Sequence, residues 1–207
     1  MPDLGHEQAR PRPTAGVDEV GRGPLAGPVV AAAVVLPPAH LLPAPLHGLD
    51  DSKALGREQR EELFAALRHA AHRGLVWLTT GQADVEEIDR LNVLEATMLA
   101  MQRAVRALPF RPAHVLVDGN RAPGLGCPVE PLPKGDTISL SIAAASVVAK
   151  VTRDRIMSAL ASTHPEYGWE RNAGYATREH RDALGRVGPS PYHRTTFAPV
   201  RSLLTGA

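Results

Sequence analysis

The fold is decided by the stretch Ala15-Gly16-Val17-Asp18-Glu19-Val20-Gly21-Arg22-Gly23. Its apolar beginning predicts a short strand, and two adjacent carboxylates, Asp18 and Glu19, stand where side chains leave the sheet. The Gly-Arg-Gly turn that follows allows backbone conformations that residues with a side chain rarely adopt. Because crowded negative charge is costly without a cation, this stretch predicts a metal site beside a backbone that presses against a ligand.

The segments around this stretch predict an α/β fold. Residues 29–36 form a continuous apolar run, which predicts a buried second strand joined to the first as a hairpin. The periodicity predicts further strands at 75–79, 114–117 and 127–132, and helices at 57–73, 92–108, 139–163 and 177–186. Strands and helices therefore interleave after an antiparallel start, which favours a mixed central sheet flanked by helices.

The composition narrows the class of protein. A chain of 207 residues with 43% hydrophobic residues fits one domain with a proper core. Residues 1–14 are polar and rich in proline, so we expect a flexible tail ahead of a single domain at 15–207. No segment has the ~20 apolar residues of a membrane span, and no signal peptide is evident. We therefore expect a cytoplasmic protein, with Cys127, the single cysteine, as an ordinary loop thiol.

Carboxylates carry the predicted chemistry. Besides Asp18 and Glu19, Asp118 ends the strand predicted at 114–117, and Asp136 precedes the long helix predicted at 139–163. Carboxylate oxygens suit hard cations such as Mg²⁺ or Mn²⁺, and two such ions can activate a water and stabilise a leaving oxygen. Asp136 alone also fits a helix cap. A dinucleotide site is not indicated, because no Gly-x-Gly-x-x-Gly follows the first strand.

Several motifs occur together in a fixed order. They are residues 16–29, 51–53, 117–120, 134–136 leading into 141–154, 174–180 and 193–200. Through these motifs the chain resembles bacterial ribonuclease HII, the type 2 ribonuclease H family, from about residue 15 to residue 200. The resemblance implies a ribonuclease H-like fold with a helical C-terminal part.

The resemblance also implies an activity. The family cuts the RNA strand of RNA–DNA hybrids and cuts 5′ of ribonucleotides embedded in duplex DNA, leaving a 3′-hydroxyl and a 5′-phosphate. It does so with two divalent ions, Mn²⁺ or Mg²⁺. By motif match, the metal-binding catalytic carboxylates are Asp18, Glu19, Asp118 and Asp136. We expect a monomer with nucleic acid as its partner and no membrane.

Substrate recognition carries over at other positions. Gly21, Arg22 and Gly23 match the family segment whose backbone contacts a ribose 2′-hydroxyl, the group that distinguishes RNA from DNA. Tyr175 matches the tyrosine that packs on the deoxyribose next to the ribonucleotide, and Lys53 matches a lysine that contacts a backbone phosphate. Taken by themselves, Tyr175 also fits a packed surface aromatic and Lys53 a solvated loop lysine.

Two alternatives remain at this stage. A protein of the same fold that only binds hybrids would bind without cleaving in Mn²⁺. An integrase-like or resolvase-like nuclease of the wider superfamily would cleave all-DNA duplexes and would need neither the Gly-Arg-Gly segment nor Tyr175.

Overall fold

The computed structural model describes residues 1–49 and 55–206. Five strands form one sheet in the order β3-β2-β1-β4-β5. They are β1 (Thr14–Val20), β2 (Val29–Val35), β3 (Trp77–Ala83), β4 (His114–Asp118) and β5 (Val129–Leu132). The helices of the described residues are α1 (Gly5–Gln8), α2 (Arg57–His72), α3 (Val85–Leu91), α4 (Val93–Arg106), α5 (Leu140–Thr163), α6 (Trp169–Asn172), α7 (Arg178–Val187) and α8 (Ala198–Thr205).

The sheet is mixed, as its sequence predicts. β1 pairs antiparallel with β2, with Glu19 opposite Ala31, and this confirms the predicted hairpin. On its other side β1 pairs parallel with β4, and β4 pairs parallel with β5. Because β1 and β4 run in the same direction, their carboxyl ends meet at one edge of the sheet.

Helices cover both faces of the sheet, which explains why β2 is buried along its whole length. Side chains of a strand alternate between faces, so Ala32 and Val34 of β2 pack against the α2 and α5 side. Ala31 and Ala33 pack against α4 on the other side. The small side chains of β2 let α5 on one face and α4 on the other approach the sheet closely.

The main chains of β1 and α5 lie in close contact. A Cβ atom added at Gly16 would meet the backbone of Ser141 and Ile142 at the start of α5. The run of small and apolar residues at 141–149 in α5 is buried without exception. Gly16 therefore sets how close α5 lies to the strand that carries Asp18.

The C-terminal part is helical, as the resemblance implies. Trp169, Leu184 and Val200 form a separate buried cluster with Leu25 and Met157. Leu25 lies in the segment that joins β1 to β2, so the C-terminal helices pack directly on the turn after β1.

Some boundaries differ from the prediction. The third strand spans Trp77–Ala83 rather than 75–79, and α3 was not predicted. Asp84 begins α3 through a capping box with Glu87, a local signal that the apolar periodicity does not contain. Asn92 and Thr177, the first residues of two predicted helices, cap α4 and α7, since each side chain accepts a backbone N–H of the helix that follows.

The N-terminal segment 1–14 differs from the flexible tail that we expected. It contains α1, and Leu4 and Glu7 are buried. Glu7 Oε1 accepts hydrogen bonds from the hydroxyl and the backbone N–H of Ser141, at 2.6 and 2.8 Å. The hydroxyl of Ser139 donates to the same oxygen at 2.7 Å. This segment therefore packs against the start of α5.

Candidate metal centre

Three carboxylates converge at the edge where β1 and β4 end. Asp18, Asp118 and Asp136 each offer an oxygen, and these three oxygens lie within 4.8 Å of one another. Asp18 shares the face of β1 that carries Gly16, and Asp118 shares the face of β4 that carries Leu116; both faces point toward α5. Asp136 comes from the short turn of 3₁₀-helix before α5.

Local hydrogen bonds hold these carboxylates in place. Asp18 Oδ1 accepts the backbone N–H of Glu19 at 2.7 Å, and Ser146 of α5 also bonds to Asp18. Asp118 Oδ1 accepts the backbone N–H of Gly135 at 2.7 Å, which ties β4 to the turn carrying Asp136. α5 is capped by Ser139, so the helix-cap alternative for Asp136 is not needed to begin this helix.

Glu19 lies beside this group and not within it. It follows Asp18 in the strand, so its side chain projects to the opposite face. It lines a cavity of about 230 Å³ with Arg22 and Met101, and Asp118 reaches the same cavity from the end of β4. Glu19 Oε1 is 3.4 Å from Arg22 Nη1, while the buried Oε2 has no hydrogen-bond partner among the described residues.

The electrostatics of the site favour a bound cation. Burial raises the pKa of Asp18 well above its usual range, and the charges of Glu19 and Asp118 raise it further. Burial also raises the pKa of Glu19, with Arg22 opposing and Asp118 adding to the effect. Buried carboxylates and an unpartnered oxygen are a donor set that fits a hard divalent ion such as Mn²⁺ or Mg²⁺.

The Gly-Arg-Gly turn lies next to Tyr175. Gly21 is buried with a φ of 96°, where a side chain would also meet Arg153 and the carbonyl of Pro28. Gly23 is exposed, and a Cβ atom at this position would lie 3.7 Å from Cε1 of Tyr175. Tyr175 itself is 44% exposed. The structure therefore brings two of the predicted recognition elements together, although they are about 150 residues apart in the chain.

Two buried arginines that we did not single out hold this turn and the segment that joins it to β2. Arg194 donates to the carbonyl oxygens of Gly21, Arg22 and Gly27. Arg153 donates to the carbonyl oxygens of Pro28, Ala26 and Ala173. Both residues fall within the matched motifs, but nothing in their sequence context distinguishes a buried arginine from a solvated one.

Lys53 lies outside the described residues, together with the rest of its motif at 51–53. Its contact with a phosphate stays a prediction.

Comparisons with known proteins agree with this geometry. The sequence model of the family described as ribonuclease HII matches residues 15–200. A ribonuclease HII from Paramagnetospirillum magneticum is 60% identical over 200 residues, covering 97% of both chains. One from Rhodospirillum rubrum is 56% identical, covering 99% of this chain and 92% of the relative. The chain belongs to the ribonuclease HII family.

Solved structures of ribonuclease HII and related enzymes share the fold. Ribonuclease H2 from Pyrococcus horikoshii is 28% identical with a TM-score of 0.76, covering 93% of this chain and 97% of that one. RNase HII in a complex with PCNA from Archaeoglobus fulgidus is 25% identical with a TM-score of 0.72, covering 89% and 94%. Bst-RNase HIII, solved in complex with Mn²⁺, is 22% identical with a TM-score of 0.73, covering 94% of this chain and 70% of that one. This similarity shows a shared fold.

Membership of the ribonuclease HII family establishes the enzyme class. The chain is a ribonuclease H, a metal-dependent endonuclease that acts on the RNA strand of RNA–DNA hybrids. Mn²⁺ or Mg²⁺ fits the buried carboxylates described above. Within the described residues, no helix is both long enough and apolar enough to cross a membrane.

Proposed function

We propose that this ribonuclease H cuts 5′ of ribonucleotides embedded in duplex DNA as well as within hybrids, and that it leaves a 3′-hydroxyl and a 5′-phosphate. The observation that carries the proposal is the position of the carboxylates Asp18, Asp118 and Asp136 beside a turn, residues 21–23, that packs against Tyr175. In this proposal the carboxylates that bind the metal lie next to the residues that recognise the sugar.

The carboxylates have a binding role in this proposal. Asp18, Asp118 and Asp136 hold the cofactor, and Glu19 adds its unpartnered oxygen from the neighbouring cavity. Two divalent ions bound there supply activation of a water and stabilisation of the departing 3′ oxygen. The hydrogen bonds from Glu19 N–H, Ser146 and Gly135 N–H keep the carboxylate oxygens oriented before the ions and the substrate arrive.

The turn 21–23 reads the sugar. Arg194 binds the carbonyl oxygens of Gly21 and Arg22, which fixes the direction in which the peptide groups of the turn point. Gly23, which is exposed and lacks a side chain, lets a ribose approach the backbone closely enough for a hydrogen bond to its 2′-hydroxyl. Tyr175 packs on the adjacent deoxyribose, so the pair recognises an RNA–DNA junction.

A cleavage assay on three duplexes tests this proposal. The duplexes are DNA with one ribonucleotide, a long RNA–DNA hybrid and plain DNA, each in Mn²⁺, in Mg²⁺ and in excess chelator. We expect metal-dependent cleavage of the first two, with incision 5′ of the ribonucleotide and products bearing a 5′-phosphate. Cleavage of plain DNA at a similar rate would instead favour a resolvase-like nuclease, and binding without cleavage would favour a hybrid-binding protein.

Other features stay predictions. They are the phosphate contact of Lys53, the monomeric state and the cytoplasmic location.

A further inference from the structure

Two histidines, 13 residues apart in the chain, form a buried chain of hydrogen bonds that ends at Tyr175. The backbone N–H of Ser190 donates to His193 Nδ1 at 2.9 Å. His193 Nε2 lies 2.9 Å from His180 Nε2, and His180 Nδ1 lies 2.9 Å from the carbonyl oxygen of Tyr175. Trp169 Nε1 also donates to His180 Nε2, at 3.1 Å.

The two ends of this chain fix where each proton sits. A backbone N–H only donates, so His193 Nδ1 accepts from Ser190 and the proton of neutral His193 is on Nε2. A carbonyl oxygen only accepts, so His180 Nδ1 carries a proton and His180 Nε2 accepts. Both deductions agree that His193 Nε2–H donates to His180 Nε2. The pair is complete when both rings are neutral, and a second proton on either ring places two donors face to face.

The carbonyl at the end of the chain belongs to a tightly constrained loop. The Tyr175 carbonyl oxygen also accepts the backbone N–H of Thr177 at 2.8 Å, and Tyr175 N–H donates to the carbonyl oxygen of Asn172 at 2.9 Å. Gly174, just before, has a φ of 82°, and its carbonyl oxygen accepts the N–H of Leu25 at 2.8 Å. The backbone of Tyr175 is therefore held from both sides, while its ring stays exposed beside Gly23.

We propose that the His193–His180 pair is a positioning device for Tyr175, which fixes the backbone of this residue so that its ring stands at the correct place to read the RNA–DNA junction. The inference rests on the proposed role of Tyr175. Neither histidine needs to touch the substrate; each acts through the carbonyl group of Tyr175.

The surroundings of the pair favour its neutral form. His180 and His193 are both fully buried or nearly so, and the rings of Trp169 and Tyr167 pack against them. Burial lowers the pKa of His193 to about 4, with His180 and His164 adding to the effect and Ser190 opposing it. Burial also lowers the pKa of His180, against the opposing effects of the carbonyl groups of Tyr175 and Gly174 and of the charge of Glu179.

Nitrogen NMR on the folded wild-type protein gives a first test that needs no substitution. With ¹⁵N-labelled histidine at neutral pH, we expect His193 to be neutral and protonated on Nε2, and His180 to be neutral and protonated on Nδ1. A charged ring, or the reverse tautomer at either residue, would overturn the inference.

A kinetic test uses the junction ratio, defined as kcat/KM on DNA with one ribonucleotide divided by kcat/KM on a long hybrid. His193→Ala should lower this ratio on the order of tenfold, since misplacing a positioned group can cost up to about a hundredfold. His193→Gln, whose amide N–H can still donate to His180, should recover most of the loss. His164→Ala is the matched control, because His164 stacks on Trp169 in the same cluster but lies outside the chain of hydrogen bonds.

A double-substitution cycle then isolates the path through Tyr175. In a Tyr175→Ala background, His193→Ala should change the junction ratio no further, because the two substitutions remove one effect. If Tyr175→Ala lowers the ratio but His193→Ala and His193→Gln leave it as in the wild type, the positioning role is wrong while the role of Tyr175 stands. If Tyr175→Ala itself leaves the ratio unchanged, both are wrong.

Discussion

At the scale of single residues, the buried Arg194 stabilises the Gly-Arg-Gly turn through hydrogen bonds to its carbonyl oxygens. Arg194 has no solvent exposure, and its guanidinium group satisfies the carbonyl oxygens of three residues in and after the Gly-Arg-Gly turn. A planar guanidinium presents five donors in a fixed fork, whereas a lysine presents one compact charge. The Gly-Arg-Gly turn is thus held by a fork of donors that a lysine side chain could not reproduce.

The first prediction concerns this residue. Arg194→Lys leaves at least one buried carbonyl group without a donor, so we expect the free energy of unfolding to fall by about 1–3 kcal/mol. Cleavage of DNA with one ribonucleotide should fall as well. Urea unfolding measures the first effect, and Arg178→Lys, at a fully exposed position, is the control. Equal stability of the two variants would contradict the assigned role of Arg194.

At the scale of elements, the site depends on how closely α5 lies against β1. Asp18 is on β1, while Ser146, which bonds to it, is on α5, and Asp136 directly precedes α5. Gly16 has no side chain between the two elements. The position of Asp18 relative to Ser146 and Asp136 therefore depends on a main-chain contact made two residues before Asp18.

The second prediction follows from this contact. Gly16→Ala places a Cβ atom against the backbone of Ser141, so α5 must shift, and we expect a loss of about 1–3 kcal/mol in the free energy of unfolding. Gly124→Ala is the control, since nothing lies within 4 Å of the added atom there. Thermal unfolding of the two variants side by side is the measurement. A Gly16→Ala protein as stable as the control would mean that the contact is looser than described.

The third prediction concerns pH and the C-terminal helices. Burial lowers the pKa of His193 from 6.5 to about 4, so between these values the unfolded chain binds more protons than the folded one. The stability contributed by the neutral ring is then fully present above pH 6.5 and is lost as the pH falls toward 4. Chemical unfolding of wild type and His193→Gln should give a stability difference that shrinks over this range. A difference that stays constant would contradict the neutral, buried histidine.

At the scale of the whole molecule, the sequence predicts the topology of the sheet and the carboxylates that lie near the ends of its strands. The hairpin and the mixed sheet follow from two apolar runs joined by a short turn and from the strands and helices that alternate after them. Asp18, near the end of β1, meets Asp118, at the end of β4, because these two strands are parallel neighbours. Glu19 points to the opposite face of the sheet from Asp18, because side chains alternate along β1. The prediction had grouped Glu19 with the other carboxylates.

Long-range packing accounts for what the sequence did not reveal. Glu7 bonds to Ser141, although proline and polar residues around it indicate a flexible tail. His180 and His193 meet through the packing of α7 against the segment before α8, and their spacing carries no helical or strand periodicity. The separate roles of Lys53, Tyr175 and the carboxylates in binding stay predictions that substitutions must test.

The most direct test of the central claim is the cleavage of DNA with one ribonucleotide by Asp118→Asn in Mn²⁺. Asn keeps an oxygen that can accept the N–H of Gly135, so we expect the fold to remain, by circular dichroism, and activity to fall by several orders of magnitude. Asp182→Asn, at an exposed position on α7, should cleave like the wild type. Wild-type cleavage by a folded Asp118→Asn protein would contradict the assignment of this sheet edge as the catalytic metal centre.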